Sequence, residues 1–410
     1  MALLITAPPT TATRSRRHRT GSWVIASAFL VVMAFSTVPT PLYALYQARD
    51  GFATIVVTVV FAAYAVGVVA SLYLAGHLSD WMGRRRVLLA SVLVELLAAA
   101  VFLVWPDVSG LLVARLLCGL GVGALTATAT AHIGELRAVA APHEDGRTAT
   151  VVAGFANLGG LGLGTLVSGV LAQWVTAPLV VPYVVFAVLL AVAATAIAFV
   201  PETVERPQVR PAYRPQRVAL PPTDRGTFLS AGAAAFLGFA IFGLFTSLAP
   251  TFLIGTLHEP SRLVAGAVTF AAFGSAAAAQ VLTMRLPARL QLRLSTLLIG
   301  AGLIAMAVAP IAASLPLFIV AGVLTGGGVG IQFRSAIAAA AALAAPAQRG
   351  EVLAALFLIA YAGLTVPVLL LGVALTVLPS TAVLIGFAAI VLAASIPANN
   401  AMSRRMSAGA

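Results

Sequence analysis

The sequence predicts an all-α polytopic membrane protein with twelve transmembrane helices in two pseudo-symmetric six-helix halves. Of its 410 residues, 61% are hydrophobic and only 9% are charged, whereas a soluble globular protein carries roughly 25% charged residues. Its mean hydropathy is +1.04. Apolar runs long enough to cross a bilayer recur twelve times along the chain, and the second half repeats glycine spacings of the first. A water-soluble fold is therefore excluded.

Runs of about 20 apolar residues mark the individual helices. Predicted helices 1 to 12 cover 22–47, 52–78, 87–105, 109–136, 148–175, 179–200, 227–256, 263–284, 294–312, 315–345, 351–378 and 380–398. The first six form an N-terminal bundle over 22–200, and the last six form a C-terminal bundle over 227–398. Residues 1–21 and 399–410 are predicted to be tails. Segment 201–226 is predicted to be a linker, because its six prolines oppose a surface helix and its five arginines suit anionic lipid headgroups.

The basic residues predict the orientation of the chain. All 24 are arginines, and placing both termini in the cytosol puts 20 of them in cytosolic segments. Arg49 and Arg262 then lie outside, while Arg115 and Arg334 lie within helices. This asymmetry follows the positive-inside rule. We therefore expect a multi-pass protein of the cell (inner or plasma) membrane with both termini in the cytosol.

The chain lacks the residues that several classes of function require. The net charge of +12 does not indicate nucleic-acid binding, because no soluble basic face with interleaved aromatic residues accompanies it. Five scattered histidines and the apolar Cys118 provide neither a metal site nor a nucleophile with a base, so we expect no enzyme activity, metal or cofactor. The chain has no phosphate-binding GxxxxGK[ST] loop and no lysine, so transport would draw on a gradient rather than on ATP.

The segment between predicted helices 2 and 3 carries the most specific motif. It reads GHLSDWMGRRRVLL over 76–89. Its glycines permit close helix approach, and Asp80 is spaced to pair with Arg84 or with the positive end of another helix. The spacing resembles G-x-L-a-D-r-x-G-r-k, the signature of major facilitator superfamily transporters. Its residues here are Gly76, Leu78, Asp80, Gly83, Arg84, Arg85 and Arg86.

The resemblance implies a fold and a mechanism. Members of this superfamily pair two six-helix halves, bind a small-molecule substrate between the halves near the bilayer midplane, and work by alternating access. The Cys118–Gly123 stretch of helix 4 recurs at Thr325–Gly330 of helix 10, which fits such halves. By the same resemblance, Asp80 is a gate residue that meets the start of helix 11 near 349–351 when the cytosolic side is closed.

Helix 4 resembles a second superfamily motif, an arginine one turn before small residues. Its residues are Arg115, Gly119, Gly123 and, near the cytosolic end, Glu135. An arginine within a membrane is expensive, so Arg115 is a candidate for function. The alternative is that it reaches the outer interface, because it lies near the helix start. We expect Glu135 to pair with a gate arginine.

Helix 5 is similar to G-x-x-x-G-P-x-x-G-G, a motif of drug/proton antiporters. Gly160, Gly164 and Gly169 match, while Thr165 replaces the proline and Ser168 a glycine. The partial match implies the efflux branch of the superfamily. A generic seam of small residues that lets helix 5 pack closely is the alternative.

A few embedded polar residues are candidates for substrate binding or coupling. Thr126 shares a helix face with Arg115, and amide side chains offer hydrogen bonds to a solute or between helices. Glu95 is either a scaffold residue or a proton site. We expect Arg334 to face the central cavity and attract an anionic group or a carboxylate of another helix; snorkelling to the cytosol is its alternative. The full set is Arg115, Thr126, Asn157, Gln280, Gln332, Arg334 and Glu95.

The favoured function is secondary active transport of small organic molecules, as efflux of apolar or amphipathic compounds coupled to protons by a monomer in the lipid bilayer. Helix 1 lacks the carboxylate that many drug/proton antiporters carry there, so the coupling residue stays open. The alternative is a uniporter or symporter that takes up a polar or anionic metabolite. A non-transporting membrane sensor is a remote alternative.

Overall fold

A computed structural model describes residues 11–143, 146–205, 213–221, 224–345 and 348–408. The first ten residues of the predicted N-terminal tail, positions 206–212 and 222–223 of the predicted linker, and 409–410 lie outside this description. The described residues contain no strand, and twelve of their helices are long and apolar enough to cross a membrane. The all-α prediction and the count of twelve are thereby confirmed.

The spanning helices are numbered 1 to 12 in chain order. They are Ser15–Asp50, Thr54–Ala75, Arg84–Val104, Val108–Ala140, Arg147–Trp174, Val181–Ala198, Arg225–Leu257, Arg262–Leu282, Ala288–Ile311, Leu315–Ala342, Arg349–Ala374 and Ser380–Ala401. Helical structure continues back to Thr11 and on to Ala408. Parts of both predicted tails are therefore helical.

Two helices contain a π-helical turn beside the centre of the molecule. One covers Phe155–Gly159 in helix 5 and the other Leu244–Leu248 in helix 7. Such turns widen the helix and re-aim side chains, and they occur often at functional sites. They hold Asn157 and Thr246 at the position where the two halves meet.

Close backbone contact joins helices 2 and 4 in the N-terminal half. A Cβ atom on Gly119 would lie 2.0 Å from the carbonyl oxygen of Tyr64, and one on Gly67 would lie 2.3 Å from that of Leu116. Only glycine fits at these two crossing points. The glycines of the helix 4 motif therefore set the distance at which Arg115 stands from helix 2.

The two ends of the bundle differ. The end that carries 76–83, 201–205 and 213–221 is called the motif end, and the other is called the far end. At the far end the halves touch along three seams: helices 5 and 8, helices 2 and 11, and helices 1 and 7. In the first seam Thr165 Oγ1 donates to the Gly266 carbonyl at 3.1 Å. In the third, Thr40 Oγ1 donates to the Thr246 carbonyl at 2.9 Å.

Candidate substrate cavity and gate

A partly open cavity lies between the two halves, and its empty space, with the open mouth included, measures about 820 Å³. Helices 1, 2, 4 and 5 of one half and helices 7, 8, 10 and 11 of the other line it. The far-end seams close it on one side. Its lining consists of Met33, Ser36, Thr37, Thr40, Phe61, Tyr64, Arg115, Thr126, Asn157, Leu158, Leu161, Phe239, Phe242, Thr246, Phe273, Gln280, Gly330, Phe333, Phe357, Tyr361 and Leu364.

Arg115 is the one charged residue in this lining among the described residues. It is 2% exposed, and its Nη1 donates to the Ser36 carbonyl at 2.6 Å. The guanidinium carbon stands 4.3 Å from the ring centroid of Tyr64 and 5.6 Å from that of Phe61. Its Nε has no hydrogen-bond partner. A fixed positive charge thus lines the cavity, and the location at the outer interface considered from sequence does not apply.

Aromatic rings form the opposite wall. Phe239 of helix 7 stands 4.8 Å from Phe333 and 5.7 Å from Tyr361, measured between ring centroids. Phe242 stacks on Phe273 at 4.4 Å with an interplanar angle of 19°. This aromatic wall was not predicted from the sequence. Such a surface binds aromatic or other flat apolar groups well, through ring contacts in offset or edge geometry.

Three polar candidates line the cavity as well. They are Thr126, Asn157 and Gln280. Gln280 Nε2 donates to the Gly330 carbonyl at 3.1 Å, across helices 8 and 10. Thr126 Oγ1 donates to the Val122 carbonyl of its own helix at 2.7 Å. The amide oxygen of Gln280 and the lone pairs of the Thr126 hydroxyl remain able to accept hydrogen bonds from a solute.

Gln332 does not belong to the cavity lining. It is 1% exposed, and its Nε2 donates to Asn399 Oδ1 at 2.6 Å. Asn399 Nδ2 in turn donates to Thr296 Oγ1 at 3.1 Å. The amide therefore bridges helices 10, 12 and 9, which is the commoner use of a buried amide in a membrane protein.

Arg334 also lies outside the cavity lining, contrary to the expectation from sequence. Its Nη1 donates to the Gln280 carbonyl and its Nη2 to Thr283 Oγ1 at 3.3 Å. Both acceptors lie at the C-terminal end of helix 8, where backbone carbonyls carry partial negative charge. The snorkelling alternative requires helix 10 to end soon after Arg334, but the helix continues to Ala342. Among the described residues no carboxylate pairs with Arg334.

Glu95 occupies a different place, between helices 3 and 4. It is fully buried and does not line the cavity. Neither carboxylate oxygen has a hydrogen-bond partner. A Cβ atom on Gly121 would come within 2.4 Å of its Oε1, so the glycine of helix 4 provides the space for the acid.

The gate motif forms a polar network at the motif end. Arg84 pairs with Asp80 at 2.5 Å and with Glu135 at 2.9 Å. Glu135 also accepts a hydrogen bond from Thr203 Oγ1 at 2.5 Å. Arg85 Nη1 donates to the carbonyls of Ala198 and Val200, and Arg86 is exposed. The network joins helices 3, 4 and 6 and holds the N-terminal half together at this end.

Glu202 caps helix 3 and was not among the predicted site residues. Its carboxylate accepts from the backbone N–H groups of Arg84 and Arg85 at 2.9 and 3.1 Å, which satisfies donors that a helix start leaves free. It lies 2.6 Å from the place of a Cβ atom on Gly83, whose φ is +102°. Both the space and the backbone angle therefore require glycine there. The Val-Pro-Glu-Thr sequence at 200–203 is the sequence feature from which this role of Glu202 could have been predicted.

Asp80 does not touch helix 11 in this state. Its side chain is 61% exposed and pairs with Arg84 only, as far as the described residues show. The linker occupies the space near the start of helix 11: Gln216 N donates to the Tyr73 carbonyl at 2.7 Å, and Ala219 N donates to the Glu351 carbonyl at 3.4 Å. The contact of Asp80 with 349–351 therefore stays a prediction for a state in which the motif end is closed.

We expect Asp80→Asn to impair transport while leaving substrate binding within several-fold of wild type. The amide keeps the shape of the side chain but loses the charge that attracts a helix N-terminus. Transport rates in vesicles and equilibrium binding to purified protein measure the two effects. A variant that binds poorly but still switches between states would contradict a gate role.

The helix 5 glycines are points of close contact. Cβ atoms would lie 2.6 Å from the Leu30 carbonyl at Gly160 and 1.9 Å from the Ala34 carbonyl at Gly164, both in helix 1. At Gly169 the Cβ atom would lie 2.7 Å from the Arg262 carbonyl of helix 8. Two of the three glycines thus set packing within the N-terminal half, and the third belongs to a seam between the halves.

Comparison with known proteins agrees with this architecture. The family model described as Major Facilitator Superfamily matches residues 24–308. The crystal structure of the human organic anion transporter MFSD10 (TETRAN) superposes with a TM-score of 0.67 at 19% identity, covering 96% of this chain and 100% of that one. A POT family transporter in complex with 5-aminolevulinic acid gives 0.73 at 12% identity, covering 92% and 95%.

At these sequence identities the two structures support the fold alone. No curated protein matches this chain significantly. The family match covers more than half of the chain, and the twelve helices and the cavity between two halves are those of its fold. The chain belongs to the major facilitator superfamily.

Proposed function

We propose that this protein is a secondary transporter that carries amphipathic organic anions through the cavity by alternating access, acting as a monomer in the cell membrane with both termini in the cytosol. One observation carries the proposal: a single guanidinium, that of Arg115, faces a cavity that is otherwise aromatic or weakly polar. The charge selects an acidic group, and the aromatic wall selects a flat apolar body.

Desolvation strengthens this selection. Arg115 is buried, so its attraction for an anion is screened much less than that of a surface arginine. A guanidinium also offers paired donors that match carboxylate, sulfonate or phosphate oxygens. An aromatic cation of similar size would meet repulsion at the same place.

Two couplings are consistent with such a substrate. The partial helix 5 motif favours export in exchange for protons. The guanidinium in the cavity favours the alternative, an anion carried together with a proton, because a proton offsets the charge that must cross the membrane. The sign of the coupling separates them, since an inward proton gradient drives export in the first case and uptake in the second.

Purified protein in lipid vesicles tests the proposal with two probes, naphthalene-2-sulfonate and the cation ethidium. We expect labelled naphthalene-2-sulfonate to exchange into vesicles preloaded with the unlabelled compound, and ethidium not to exchange. Protein-free vesicles are the control. Exchange of ethidium alone, or of neither probe, would contradict the proposed substrate class. An alkaline interior drives accumulation by symport, and an acidic interior drives it by antiport.

A further inference from the structure

A carboxylic acid lies at mid-membrane depth in the N-terminal half, outside the cavity. Glu95 stands about 14–16 Å from each end of helix 3 at 1.5 Å per residue, and it is fully buried. An acid at that depth is costly in a membrane and is a functional candidate by default. The cavity and the gate network described above do not use it.

Among the described residues, no ion pair and no hydrogen bond of good geometry involves the carboxylate of Glu95. Gly121, the thiol of Cys118 and the backbone N–H of Val122, all of helix 4, lie against the carboxyl group. Burying an ionised carboxylate without a partner is far more costly than burying the neutral acid. We therefore expect this side chain to be protonated when no charge compensates it.

One positive charge lies close enough to act on this acid. On the elements packed against helix 3, the titratable or charged side chains that act on Glu95 are Arg115 and Cys118, both from helix 4. Arg115 lies about one helical turn before Cys118. Its Nε, like the two oxygens of Glu95, has no hydrogen-bond partner. Arg115 thus lines the cavity and is within electrostatic range of the buried acid.

The shared charge determines the sign of the linkage between the two sites. An ionised Glu95 would compete with a substrate anion for the field of Arg115. Protonation of Glu95 removes that competitor and leaves the guanidinium to the cavity. An anion bound at Arg115 likewise makes ionisation of Glu95 more costly, because linkage between two sites is reciprocal. Proton and anion should therefore favour each other's binding.

We infer that Glu95, between helices 3 and 4, is the proton-binding site of this transporter and that the charge of Arg115 couples it to the cavity. We also infer that this proton binds together with an anionic substrate. The inference rests on the proposed function for its second part only. It assigns the coupling to a helix 3 acid in a chain whose helix 1 carries an acid only at its last residue, Asp50. It also favours symport over the antiport that the helix 5 motif implies.

Infrared spectroscopy tests the proton site without any substrate. The protein in lipid is titrated from pH 5 to 9, and the absorbance of protonated carboxyl groups is compared with that of Glu95→Gln. Asp50→Asn, which removes the acid that pairs with Arg49 at the surface, is the matched control. We expect a carboxyl band at pH 7 that Glu95→Gln lacks and Asp50→Asn retains. An unchanged band in Glu95→Gln would overturn the inference.

Calorimetric binding of naphthalene-2-sulfonate in two buffers of different ionisation enthalpy tests the linkage. We expect wild type to take up nearly one proton per bound anion at pH values where the carboxyl band is lost, and Glu95→Gln to bind the anion with almost no uptake. Proton release by wild type, or equal uptake by the variant, would overturn the linkage. A Glu95 band without any binding of the sulfonate would support the proton site and count against the proposed substrate class.

Discussion

Arg115→Met is expected to weaken binding of naphthalene-2-sulfonate by roughly 10- to 100-fold and to leave the protein folded. Hydrogen bonds to charged groups contribute about 1.5–3 kcal/mol, which corresponds to that range of affinity. Methionine fills a similar apolar volume against Tyr64 and Phe61, so the packing loss is small. Ethidium should bind the variant better than wild type, because the repelling charge is gone. Titration of purified protein with each probe measures both changes.

Arg334→Met is the matched control for this prediction. It removes the same group from an arginine that binds the end of helix 8 and does not line the cavity. Binding of the sulfonate should stay within a few-fold of wild type. Equal losses in the two variants would restore the cavity role that the sequence predicted for Arg334. Arg115→Lys should fall between wild type and Arg115→Met, since the ammonium keeps the charge but cannot stack on Tyr64 as a flat guanidinium does.

Helix phase explains which embedded polar residues the sequence placed correctly. In helix 10 the cavity is lined by Gly330 and Phe333. Gln332 precedes Phe333 by one position and Arg334 follows it by one. Their side chains therefore point about 100° to either side of Phe333 around the helix axis. Polarity and depth identified both as candidates. They could not show which face of an almost uniformly apolar helix meets the cavity.

The aromatic wall was hidden for a related reason. Residues such as Phe239 and Phe273 stand within apolar runs, and a ring in a membrane span looks the same whether it faces lipid, protein or a cavity. Arg115 could be singled out because a charge inside a bilayer needs a special environment, and the gate motif because its spacing is specific. The sequence thus predicted the fold and pointed to Arg115, whereas the apolar lining of the cavity required the packing of eight helices.

The state of the molecule also lay beyond sequence. Asp80 and Arg84 are spaced to pair in any state, but only the structure places the linker beside Glu351 and the seams at the far end. Alternating access requires those seams to open. In the seam of helices 5 and 8, Gly169 of one half meets Gly266 of the other. A larger residue at this contact therefore tests whether the seam closes the far end.

Gly266→Val is expected to hold the far end open and to abolish transport in a protein that still folds. A Cβ atom at Gly266 would lie 2.3 Å from the Thr165 carbonyl and 3.2 Å from the Cα atom of Gly169. These are backbone atoms of helix 5, which cannot turn aside as a side chain would. Overpacking of this kind costs about 1–3 kcal/mol, enough to shift a two-state equilibrium by roughly 5- to 150-fold.

A cysteine at Thr40 reports the shift. Thr40 is 3% exposed in the closed far end, and the chain's one native cysteine, Cys118, is buried. Labelling of Thr40→Cys by a membrane-impermeant maleimide should be slow in the parent and at least several-fold faster with Gly266→Val. Gly386→Val, where a Cβ atom would meet nothing within 4 Å, should change neither labelling nor transport. Normal transport with unaltered labelling in Gly266→Val would show that helices 5 and 8 do not form the closing contact, because a seam that tolerates valine at this distance cannot be what seals the far end.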